Sequence, residues 1–73
     1  MKKLTTLKSD CGSKVSVIGV QKEVLIVEFF ENGKHVGEIE YPDKSMYYVK
    51  DAAENWVTGI MTKDTIRKYS IAA

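Results

Sequence analysis

The sequence predicts a single α+β domain over residues 1–73: a small antiparallel meander sheet of four or five strands followed by a C-terminal helical segment. Three observations predict it. Up to about residue 50 the apolar residues are largely β-branched or aromatic and fall in short runs bounded by turn formers. Two of those runs flank Asn32-Gly33, the pair best able to occupy the positive-φ positions of a type I′ hairpin turn. After residue 50 the apolar spacing changes from two to that of a helix.

The elements follow in order. Leu4 to Lys8 alternates weakly and Ser9-Asp10-Cys11-Gly12-Ser13 is a turn cluster. Val15-Ser16-Val17-Ile18-Gly19-Val20 then returns as a strand bounded by Gln21-Lys22. Val24 to Phe30 is the strongest strand of the chain and ends at Asn32-Gly33. A two-residue loop there would set Phe30 opposite His35, Phe29 opposite Val36, Ile26 opposite Ile39 and Val24 opposite Tyr41. Both faces of this hairpin then carry apolar residues, so each needs cover. The tail covers one; the other requires closure into a barrel, or a second molecule.

Pro42 is read as the second residue of a type I turn from which Met46-Tyr47-Tyr48-Val49 returns as a further strand. Asp51 with Glu54 three residues later reads as a capping box, opening a short helix from Ala52 to Thr58 that Gly59 ends. Ala53, Trp56, Val57 and Ile60 form its apolar side. Thr62 caps a second helical turn through Lys63, Thr65, Ile66 and Tyr69, leaving a frayed end at Ser70 to Ala73. In size and meander the chain resembles small SH3-like barrels, which usually end in a strand rather than a helix, so the likeness is one of architecture.

Composition excludes several function classes. The lone Cys11 permits no internal disulfide and no zinc site built on paired cysteines; it fits a reducing, cytoplasmic setting. The longest apolar run, Val24 to Val27, falls far short of the ~20 residues that span a bilayer, and Thr5-Thr6 after Met1-Lys2-Lys3-Leu4 is no signal-peptide core. No membrane or targeting segment is expected.

The only histidine, His35, stands beside the Asn32-Gly33 tip, where it packs on Phe30, and Cys11 is an ordinary loop thiol, so no nucleophile and base are paired by spacing. No metal spacing converges on Glu31, His35 or Asp43, and the glycines are isolated rather than gathered in a phosphate loop. Glu38 and Glu40 stand roughly 7 Å apart on one strand face, within the range of glycosidase carboxylates, yet a chain this short has little left to build a sugar cleft. A non-enzymatic protein without cofactor or metal is expected.

The formal net charge of +1 conceals a pattern. Residues 1–22 hold five lysines against Asp10, residues 23–54 hold eight acids against three lysines, and the remainder is basic again. The leading expectation is a protein-interaction domain, adaptor or regulatory, whose acidic, tyrosine-bearing middle (Glu38, Glu40, Tyr47 and Tyr48) meets a partner with a basic surface. The first alternative is a single-stranded nucleic-acid module using Lys14, Lys63, Arg67 and Lys68, against which the small net charge argues. The second is a homodimer that shelters a sheet face. Phe29, Met46, Tyr47, Tyr48, Trp56 and Met61 exceed the needs of so small a core and could serve core or interface alike. The size also suits compact accessory proteins of phages and mobile elements, with no motif behind that impression.

Overall fold

Asn32 and Gly33 both adopt positive φ, 53° and 80°, and close the last hairpin of the sheet. The computed structural model describes residues 1–69. Four strands, β1 (Lys2–Lys8), β2 (Lys14–Gln21), β3 (Val24–Glu31) and β4 (Lys34–Tyr41), pair antiparallel in the order β1-β2-β3-β4. Helices α1 (Met46–Val57) and α2 (Lys63–Tyr69) follow. The fold is thus α+β, as expected, and the sheet is open: the barrel closure that SH3-like architecture implied does not occur. The expected frayed end at residues 70–73 lies outside the described residues.

Both helices pack on one face of the sheet, α1 mainly across β2 and β3 and α2 against β4. Ile18, Val27, Phe29 and Ile39 of the sheet meet Val49, Ala53 and Trp56 of α1 and Ile66 of α2 in the core. Trp56 sits at its centre, fully buried, with Phe29 edge-on at 5.9 Å between ring centroids. Its indole Nε1–H donates to the Phe30 carbonyl at 3.0 Å, which satisfies the polar atom that burial would otherwise strand. Buried Ser16 does the same across the layers, donating through Oγ to the Ala53 carbonyl at 2.8 Å.

Two readings of the sequence are corrected. The first concerns register. Glu31 faces Lys34 and Phe30 faces His35 as expected, but Val36 bulges, and beyond it Phe29 faces Gly37, Val27 faces Ile39 and Leu25 faces Tyr41. Without the bulge, Glu38 and Glu40 would oppose Val27 and Leu25 and point at the helices. Burying two unpaired carboxylates costs several kcal/mol each, far more than one interrupted ladder bond. The bulge turns Ile39 and Tyr41 inward instead and sends both glutamates to the opposite face.

The second concerns Met46 to Val49, which is the first turn of α1 rather than a strand. Asp43 has φ 61°, the mark of a type II rather than a type I turn at Pro42, and Ser45, not Asp51, is the N-cap. Ser45 Oγ accepts from the Tyr48 N–H at 3.3 Å. The residues buried on α1 are Val49, Ala52, Ala53 and Trp56, an i, i+3, i+4, i+7 stripe that begins three residues before Ala52. Packing of that stripe on the sheet outweighs the strand preference of Tyr-Tyr-Val. At the far end Gly59, φ 88°, stops the helix as anticipated, while Ile60 lies beyond it and is 73% exposed rather than part of the apolar side.

Candidate functional site

The face of the sheet opposite the helices is left open by them. Strand pairing aligns its side chains in three rows across β1 to β4: Lys3, Gly19, Ile26 and Glu40; then Thr6, Val17, Glu28 and Glu38; then Lys8, Val15, Phe30 and His35. Chemistry changes along each row. The β1 border carries exposed Lys3 and Lys8, the middle carries Val15, Val17, Ile26 and Phe30, and the β4 border carries Glu38 and exposed Glu40. Val17 and Ile26 are buried even here, Ile26 to 3% exposure. The Met1 side chain helps to cover them by lying on Gly19, where a Cβ would collide with it and with the Lys2 carbonyl. Glycine at 19 is therefore demanded by close approach rather than by a turn.

Glu28 stands nearer the middle of the face, where His35 Nε2 approaches its carboxylate at 3.4 Å. His35 also packs edge-on against Phe30, with ring centroids 5.2 Å apart, as expected from the hairpin. Histidine and thiol are engaged separately. Exposed Cys11 Sγ lies 3.0 Å from Ser13 Oγ and 3.8 Å from Ser9 Oγ, and the hydrogen bond with the Ser13 side chain is the main cause that lowers the thiol to about 7. Among the described residues, no group of three or more His, Cys, Asp or Glu converges as a metal site would. Nor, among those residues, is any helix long and apolar enough to cross a membrane.

The four residues chosen as a partner site do not share one surface. Glu38 and Glu40 lie on the helix-free face, whereas Tyr47 and Tyr48 lie in the first turn of α1 on the other side. Tyr47 is 87% exposed and Tyr48 52%. Tyr48 packs edge-on to Tyr41 at 5.9 Å, and Lys44 Nζ sits 4.9 Å from its ring centroid. These rings border a shallow groove of about 410 Å³ between α1, α2 and β4, lined also by Asp51, Asn55, Met61 and Tyr69. Burial, with Tyr48 a lesser cause, pushes the Tyr41 hydroxyl up to about 12. Of the surplus apolar residues, Phe29 and Trp56 are core, and Met46 and Met61 pack partly against it.

The basic set divides as well. Lys14 Nζ lies 4.6 Å from the Trp56 ring centroid, and Lys63 pairs with Glu31. That bond, together with the charges of Lys63 and Lys14, holds the Glu31 carboxyl below its ordinary range despite partial desolvation. Arg67 shares a recess with Lys63 and Lys34 beside the Asn32 turn and approaches Asp64 at 3.9 Å, while Lys68 stands over Tyr69. Three of the four thus gather at one end of the sheet, each already close to an acid or a ring.

The three-row pattern escaped the sequence reading because a register without the Val36 bulge puts β4 on the wrong face. The signal that could have found it is the strict alternation of Glu38 and Glu40 with Ile39 and Tyr41. No protein-family model, curated protein or solved structure matches the chain significantly.

Proposed function

We propose that the protein is a non-enzymatic protein-interaction module that binds through the helix-free face of its sheet. One observation carries the reading: a strip of half-buried Val15 and Phe30 with buried Val17 and Ile26, interrupted by Glu28, lies between a lysine border and a glutamate border on the face that neither helix covers. Its occupant is a protein surface with the reverse order of charge across an apolar strip, since like charges brought together at close quarters would oppose docking. The acidic residues Glu38 and Glu40 belong to this surface, while Tyr47 and Tyr48 stand apart from it.

Site-specific photo-cross-linking tests the reading. A photoreactive residue placed at Glu40 in the intact chain should give a discrete adduct in cells, and one at Lys50, exposed on α1, should give none. Adducts from Lys50 alone, or from neither position, would contradict it.

The single-stranded nucleic-acid reading draws support from the recess that Lys34, Lys63 and Arg67 share. Glu31 within the same recess and the small net charge weaken it. A fluorescence titration with oligonucleotides at low salt separates the two readings: salt-sensitive binding lost on Lys63→Ala plus Arg67→Ala would favour nucleic acid.

A further inference from the structure

We infer that the occupant of the helix-free face is a second copy of the same chain, packed face to face about a two-fold axis running parallel to the strands. The inference rests on the interaction-face reading above and names its partner. Charge order selects the geometry. Lysines mark the β1 border and glutamates the β4 border, so the face is polar from side to side. A two-fold axis along the strands lays β1 of each copy over β4 of the other. Lys3 then meets Glu40 of the other copy, Thr6 meets Glu38, and Lys8 meets His35 with Glu38 in the adjoining row; each contact occurs twice. An axis across the strands would instead lay lysine on lysine and glutamate on glutamate.

The apolar residues agree with that choice. Because the axis runs between β2 and β3, Val15 of one copy faces Phe30 of the other in the third row, and Ile26 faces Gly19 with the Met1 side chain above it in the first. In the third row a large side chain thus meets a smaller one, which lets two sheets interdigitate, while in the first Ile26 packs on Met1. Glu28 falls near Val17 of the other copy. Its carboxylate lies 3.4 Å from His35 Nε2 of its own chain, and desolvating the two on docking limits the affinity.

Area bounds the contact. Four strands about 4.8 Å apart and eight residues rising about 3.3 Å each give a face of roughly 500 Å² in plan. Two such faces reach only the lower end of the range for specific association, so the dimer belongs to the weak, concentration-dependent class.

Sedimentation equilibrium of the full chain at several concentrations and low salt tests the inference. The mass should rise from the 8.2 kDa of one chain toward that of two as concentration increases. Lys3→Glu plus Lys8→Glu, and separately Glu38→Lys plus Glu40→Lys, should each weaken association by about tenfold or more. Mixing these two variants should restore a dimer, because all-acidic borders complement all-basic ones. Circular dichroism of each variant confirms folding; should either unfold, the single changes Lys8→Glu and Glu40→Lys replace the pair.

A wild-type chain that stays at one-chain mass throughout, or charge variants that dimerise undiminished, would overturn the inference. A monomer whose cross-linker at Glu40 still captures another protein overturns the second copy but leaves the interaction face standing. A monomer with no adduct from that face overturns both.

Discussion

Lys22 and Glu23 make the β2–β3 turn with φ of 52° and 65°, in a conformation that glycine and asparagine adopt freely and that long L side chains resist. Gln21 faces Val24 across this two-residue loop, so the strands, not the turn residues, hold the geometry. Replacing Lys22-Glu23 by Asn-Gly should therefore stabilise the fold by about 1 kcal/mol, seen as a rise of about 4–8 °C in Tm. Cys11 offers a second prediction at this scale. Its hydrogen bonds with Ser13 and Ser9 favour the thiolate, so the rate of alkylation should rise with pH through a midpoint of about 7. In Ser13→Ala the largest of those contributions is lost and the midpoint should move up toward that of an ordinary thiol. An unchanged profile would show that the Ser13 hydroxyl does not hold the thiolate.

The elements were legible wherever local and tertiary preferences agree. The Ser9–Ser13 and Asn32-Gly33 turns, the Val24 strand and the Gly59 stop could be read because turn chemistry, β-branching and φ each fix them locally, whereas the Lys22-Glu23 turn carries no such signal. Met46 to Val49 could not, because Tyr-Tyr-Val favours a strand until the sheet is present to bury Val49 with Ala52, Ala53 and Trp56. The β4 register could not either, since a bulge is chosen by what it keeps out of the core rather than by any turn signal. The helix start is open to a direct check. Ser45→Ala should cost about 1 kcal/mol in denaturant unfolding, whereas Asp51→Ala, an exposed change inside α1, should cost little or nothing. The reverse outcome would place the cap at Asp51.

At the scale of the whole molecule, 73 residues are divided between one dry layer and one open face. A Cα radius of gyration of 11.0 Å is that of a compact chain of this length, so little material remains with which to enclose a cleft. The dry layer depends on Trp56, and its truncation to alanine removes roughly 3–5 kcal/mol, comparable to all the net stability a domain this small retains. Trp56→Ala should thus leave the chain without a cooperative thermal transition by circular dichroism; a sharp transition would show that the core does not rest on this residue. The open face was only half legible, because its glutamates and its apolar strip fall on one side only after the bulge is taken into account.

The most direct measurement is methyl NMR of the full chain across a dilution series, with residues of the two faces observed together. Valine and isoleucine methyls on the helix-free face, those of Val15, Val17, Val24 and Ile26, should shift with concentration, while those of Ile18, Val27, Ile39 and Ile66 in the core hold still. Shifts confined to the helical side, or none at any concentration, would contradict a second copy as the occupant of that face.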